Sequence, residues 1–362
     1  MNAQSTPWVG VDLDIAEKNI QQAVKRLGKY HIAHRPHVKV HKSLFFAEKQ
    51  QEMGCRGITC AKLGEAEVMA EGGISDILIA YPLIGRDKLE RYKNLVQSNI
   101  KVRTIINSWE GAKGLSDLGE SLGESLPVLV ELDGGINRGG LKLGEPLKEF
   151  GKQIKTLTGI RVEGVEYYGG DIYGCKTASE IKARAARERD EILESGKILQ
   201  KLGYDIRILS GGSSFSILFP EELEGLTEVR AGNYIFNDCA LLSIGMITEE
   251  SCALEIRSMV VARPDAQTAI IDAGTKTLTS DHVNYREGYG YIKEMPEAVI
   301  TKLNEEHGFV SCSGGINWKI GDQIHIIPNH ACVIPNLCDY IYGIRNGEIE
   351  RLIAIEARGK NR

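Results

Sequence analysis

Short apolar runs, rich in β-branched residues and closed by polar or glycine positions, alternate with helix-length amphipathic stretches along the first two thirds of the chain. The runs lie at 31–39, 57–61, 76–80, 101–107, 127–133, 162–168, 205–212 and 228–234. Between them, 43–53, 63–71, 87–97, 108–118, 145–157, 178–202 and the shorter 220–225 carry helical periodicity. Eight strands alternating with helices predict an α/β fold, a parallel (β/α)8 TIM-type barrel, with a doubly wound sheet as the alternative. Beyond about Asp238 the texture changes to closely spaced strand-like runs at 251–262, 267–271, 306–311, 323–327 and 351–356, and helix signals almost vanish. This pattern predicts a C-terminal all-β domain. The expected division is a barrel over 14–240 and a β-domain over 241–362, with 1–13 joining the β-domain through a strand at 7–12.

Composition narrows the function classes. A chain of 362 residues exceeds what one core usually supports, which agrees with two domains. A net charge of -5 leaves no basic footprint for nucleic acid, and the basic run at 182–189 alternates with alanine and acidic residues like the exposed side of a helix. No apolar run reaches the roughly 18 residues of a membrane span, and the N-terminus lacks a basic segment before an apolar one. A cytoplasmic protein without membrane or nucleic-acid partners is expected. The eight cysteines form no CxxC pair, so reduced thiols rather than a disulfide framework are expected.

The chemistry concentrates at the ends of the predicted strands, where barrels carry their functional groups. In Arg35-Pro36-His37-Val38-Lys39-Val40-His41-Lys42-Ser43, an extended chain would turn Val38 and Val40 to one face and Arg35, His37, Lys39 and His41 to the other. A lysine desolvated among cations favours the neutral amine that forms an imine with an aldehyde, which makes Lys39 the candidate; a solvated edge strand with a basic face is the plainer reading. The turn Ser210-Gly211-Gly212-Ser213-Ser214 and the stretch Arg230-Ala231-Gly232-Asn233-Tyr234 follow strands seven and eight, where barrels bind phosphate. Together they imply a ligand bearing both phosphate and aldehyde. Tyr168, Asp171 and Tyr173 are candidate wall residues, Tyr168 equally a packed barrel aromatic. His330 and Cys332, two apart on an extended segment, can share one ion, and a two-ligand site leaves positions open for water and substrate.

These residues resemble a fold-type III pyridoxal 5'-phosphate enzyme, the alanine racemase-like barrel plus β-domain, and within it the D-threonine aldolase and D-serine dehydratase family. The motifs are Arg-Pro-His-Val-Lys-Val-His-Lys at 35–42, Gly-Gly-Ser-Ser at 211–214, Arg-Ala-Gly-Asn-Tyr-Ile-Phe at 230–236, Asp-Ala-Gly-Thr-Lys at 272–276, Glu-Glu-His-Gly at 305–308 and Pro-Asn-His-Ala-Cys at 328–332. The resemblance implies that Lys39 carries the cofactor as an imine. It implies Arg138 beside the phenolic oxygen, and Arg230 at the pyridine nitrogen, where it would weaken the ring as an electron sink. It also implies that His330 and Cys332 bind a divalent metal, zinc first, then manganese or magnesium. Aldolases of the family show His-x-Asp where this chain has His-x-Cys, so the expected activity is the dehydratase one, converting a small β-hydroxy D-amino acid such as D-serine to an α-keto acid and ammonia. Retro-aldol cleavage to glycine and an aldehyde is the alternative. Further readings are a racemase using Tyr285, Tyr289 or Tyr291, and a non-catalytic pyridoxal-phosphate carrier. A homodimer is implied by the fold.

Overall fold

A computed structural model describes residues 5–98 and 100–362. The chain divides into two compact units, one of Met1–Ile20, Val40–Phe45 and Asn233–Arg358, the other of Gln21–Lys39, Phe46–Gly232 and Gly359–Arg362. The last residues count with the second unit because the Arg362 carbonyl accepts from the Gly64 N–H (2.8 Å) and from Arg91 (3.2 Å).

In the first unit β1 (Trp8–Asp12) runs antiparallel to Leu254–Ala262 and parallel to Tyr340–Arg345, so the expected N-terminal strand lies in the mixed sheet; residues 1–4 fall outside the described residues. Thr268–Ile271, Gly308–Ser311, Gln323–Ile327 and Glu348–Ala354 match predicted runs. Tyr291–Ile292, Val299–Leu303 and Tyr340–Arg345 complete the sheet and were not anticipated: the first is very short, the second buries only Ile300, and the third is interrupted by Gly343.

The second unit holds β2 (Ala33–His34), β3 (Ile58–Cys60), β4 (Asp76–Pro82), β5 (Lys101–Ile106), β6 (Leu126–Leu132), β7 (Ile160–Tyr167), β8 (Ile208–Gly211) and β9 (Glu228–Val229). They pair in parallel in the order β2-β9-β8-β7-β6-β5-β4-β3. The Arg56 N–H donates to His34 (2.7 Å), the Thr59 N–H to Pro36 (2.8 Å), and a parallel bridge joins His37 to Thr59, so the two ends of the order meet and the sheet closes into a parallel barrel. Strands buried on both faces read as continuous apolar runs; Val128, Leu129 and Val130 are all fully buried. Helices Leu44–Glu52, Leu63–Glu71, Arg86–Gln97, Trp109–Leu122, Glu145–Ile154 and Ala178–Lys201 alternate with the strands. The last begins in a capping box of Thr177 and Glu180, which explains its firm start.

One expectation is corrected. The segment 31–39 is not a continuous strand with a packing and a chemical face: β2 stops at His34, and Val38–Val40 form a single 3-10 turn. Pro36 has no N–H to continue a ladder and restricts the residue before it, so the chain turns at the strand end. Val38, Val40 and His41 are all buried, and Arg35 is buried in ion pairs with Asp76 (2.7 Å) and Glu228 (2.8 Å). Only part of the basic stretch is left for chemistry. Among the described residues no helix is long and apolar enough to cross a membrane, and none of the eight cysteines is joined in a disulfide.

Candidate active site

The register of the barrel sheet sets one polar tier. Glu131 of β6 pairs with Glu166 of β7, Glu166 with Ser210 of β8, and Ser210 with Glu228 of β9. Carboxylates on neighbouring strands in a buried layer require cations or donors. Arg230 answers Glu166 (2.5 Å) and also donates to Ser210 Oγ and to the Tyr167 carbonyl, each at 2.7 Å. Asn107 donates to Glu131 (2.6 Å), and Ser210 gives its one proton to Glu228 (2.8 Å). Burial and the nearby Glu166 raise the Glu131 carboxyl. Glu131 and Glu166 were missed from the sequence. The signal at Glu131 was a lone acid near the end of an otherwise apolar run, Val130-Glu131-Leu132, whereas Glu166 shares its strand with Arg161 and Glu163 and does not stand out.

Beside this tier Lys39, Arg138 and Tyr168 come together. The Lys39 Nζ lies 5.8 Å and the Arg138 guanidinium 4.4 Å from the centre of the Tyr168 ring. Tyr168 continues to Tyr173 (6.3 Å) and Tyr173 to Phe215 (4.8 Å), an aromatic wall. Asp171 instead pairs with Arg184 at 2.7 Å. Burial, then the charges of Lys39, Arg230 and Arg138, hold His37 well below the usual imidazole range, so it stays neutral and adds no cation. Its Nδ1 and the Glu166 Oε2 are buried without a hydrogen-bond partner. An amine, two guanidiniums and two orphaned polar atoms at the end of a barrel fit a ligand with an aldehyde, a phenolate and a phosphate.

The glycine turns are shaped from beneath. Gly212 has φ +79, and a Cβ there would stand 2.5 Å from Val229, so only glycine closes this turn. Its N–H donates to Glu188 Oε1 (2.7 Å), while the Ser213 N–H donates to Ser216 Oγ (2.8 Å). The Ser213 hydroxyl accepts from the Ser216 and Phe215 N–H groups, each at 3.3 Å. These donors therefore build the turn. At Gly211 a Cβ would meet Ile192 at 2.5 Å, and at Gly232 the His37 carbonyl at 2.8 Å, which keeps both strand ends bare of side chains. Glu188, on Ala178–Lys201, is buried, and desolvation raises its carboxyl to about 7.

In the other unit, Asn233 donates to Asp238 (2.6 Å), and Asp238 accepts the Ala331 N–H (3.0 Å), which holds the backbone between His330 and Cys332. Burial would lower His330, but its hydrogen bond to Cys332 and the charges of Cys332 and Asp238 outweigh it and raise the imidazole to about 10. The two side chains thus adjoin, as their spacing predicts. Imidazole and thiol are a donor pair suited to zinc. Among the described residues no group of three or more His, Cys, Asp or Glu is placed to hold a metal ion.

Comparison with known proteins places this architecture. The alanine racemase N-terminal domain family matches residues 11–239, and a domain family named for serine dehydratase matches 253–344. The chain is 31% identical to the D-threo-3-hydroxyaspartate dehydratase of Delftia sp. (strain HT23) over 346 residues, 90% of each chain. It is 29% identical to the D-threonine aldolase of Arthrobacter sp. over 99% of this chain and 93% of that one. A D-threo-3-hydroxyaspartate dehydratase structure with one histidine replaced by alanine superposes with a TM-score of 0.92 at 28% identity, covering 97% of this chain and 95% of that one. The variant with a cysteine two positions later replaced by alanine is described as a metal-free form, with a TM-score of 0.91 at 28% identity and 97% of both chains covered.

Proposed function

The chain belongs to the alanine racemase-like family of pyridoxal-phosphate lyases that act on β-hydroxy D-amino acids, and within it we propose that this protein is a metal-dependent dehydratase releasing an α-keto acid and ammonia. The observation that carries the choice is the adjoining pair His330 and Cys332. Their spacing repeats that of the histidine and cysteine replaced in the dehydratase structures, one of them metal-free.

In this reading Lys39 would hold the cofactor, and its amine would be the base for the substrate's α-proton. Arg138 neutralises the phenolate side, and Tyr168 supports the ring. Arg230, held by Glu166, Ser210 and Tyr167, which use three of its five N–H groups, would stand at the pyridine nitrogen. Gly211, Gly212, Ser213 and Gly232 would form the phosphate end, with Ser210 as a support. His330 and Cys332 hold the metal. When bound, pyridoxal phosphate supplies an electron sink for charge developing at Cα, and the metal a Lewis acid for the departing hydroxyl. Zinc suits the donors, the assembly is a homodimer, and the setting is cytoplasmic.

The test is product analysis with D-serine, D-threo-3-hydroxyaspartate and D-threonine, before and after chelation. Keto acid and ammonia, lost on chelation and restored by zinc, support the dehydratase. Glycine with an aldehyde would assign the aldolase reaction instead.

A further inference from the structure

His330 makes a second contact that none of the readings above uses. Its Nδ1 lies 2.9 Å from Asp281 Oδ2. A carboxylate can only accept, so Nδ1 donates to Asp281, and Nε2 is the nitrogen whose proton a binding metal would displace. We propose that Asp281 is a positioning residue that fixes the tautomer and ring orientation of His330 and so presents Nε2 to the metal. This inference rests on the reading of His330 and Cys332 as metal ligands.

The surroundings of Asp281 are built for that task. Asn329, the residue before His330, is buried, and its amide donates to the Asp281 carbonyl (2.9 Å) and the Gly288 carbonyl (2.8 Å). Its own carbonyl accepts the Gly290 N–H (2.9 Å). One side chain adjoining the ligand in sequence therefore ties down the loop that carries its partner. Two residues before Asp281, Thr279 takes φ +64, a left-handed conformation that a β-branched residue adopts at a cost, and its Oγ1 accepts the Asp281 N–H (3.2 Å). Strain of this kind persists where the surrounding structure over-determines it, as at ligand clamps. A carboxylate behind a metal-bound imidazole raises its basicity as a ligand and locks its orientation, and loss of such a partner costs about 10–100-fold in affinity.

The experiment is chelator competition with zinc on the full chain bearing pyridoxal phosphate, comparing wild type, D281A, D281N and H330A, with the unfolding midpoint of each metal-free protein recorded. The expected result is a Kd raised about 10–100-fold in D281A, less in D281N, which keeps an acceptor without the charge, and unchanged metal-free midpoints. Zinc affinity in D281A equal to wild type, with H330A weakened, would overturn the role of Asp281 and leave the metal reading standing. Zinc affinity unaffected by H330A would overturn that reading, and this inference with it. If D281A lowers the metal-free midpoint, D281N decides: a wild-type midpoint with weaker zinc binding supports positioning, and wild-type zinc binding overturns it.

Discussion

Glu188 shows what a single buried acid does to this protein. Two glycines at different strand ends leave it room: a Cβ on Gly169 would come within 3.5 Å of its carboxyl, and one on Gly211 within 3.0 Å. It accepts the Gly212 N–H, and the charges around it are Arg230, which lowers its carboxyl, and Asp171 and Glu166, which raise it. Burial dominates, and the carboxyl moves from an ordinary 4.5 to about 7. The folded state thus holds the proton more tightly than the unfolded chain, so this contribution to stability is full below about pH 4.5 and is lost as pH rises through about 7. Glu188→Gln keeps an acceptor for Gly212 and cannot ionise. Its denaturant midpoint is expected to vary less than wild type between pH 5 and 8, with a gain on the order of 2–3 kcal/mol at pH 8. Chemical denaturation at stepped pH measures this; an unchanged slope would place the acid elsewhere in energy.

At the scale of elements, strand register decides the site. Pairing of β6, β7, β8 and β9 lines up Glu131, Glu166, Ser210 and Glu228, and Arg230 follows β9 into that tier. Removing one partner of a buried pair leaves the other uncompensated and costs about 3–5 kcal/mol. Arg230→Ala and Glu166→Ala are each expected to fall in that range, and the double variant to lose clearly less than their sum. A double-mutant cycle by urea unfolding reads the coupling, and strict additivity would show that the contact carries none. The same register explains why sequence periodicity missed these acids. A charge within a strand, single as in β6 or one of several as in β7, gives no sign of its partners until the neighbouring strands are known.

For the whole molecule, each compact unit carries one of the two proposed functions, and they are expected to separate by mutation. Lys39→Ala should abolish the imine absorbance of the cofactor and all turnover, whereas Cys332→Ala should retain the absorbance, lose zinc and lose at least about tenfold in activity. Absorbance spectra and metal analysis of the two purified variants check this, and loss of the imine in Cys332→Ala would count against separable roles. Much of the architecture was legible in the chain, because strands and helices follow from periods of apolar residues over a few positions: the eight barrel strands, most of the helices and the changed texture after Asp238. Local patterns hold no information on register, closure or burial depth. Tertiary structure alone therefore decided that Arg35 is spent on Asp76 and Glu228, that Ser210 supports Arg230, and that Asp281, 49 residues before His330, stands against its ring. Each of these is a contact between residues distant in sequence, formed when the sheet closes or a loop is tied down.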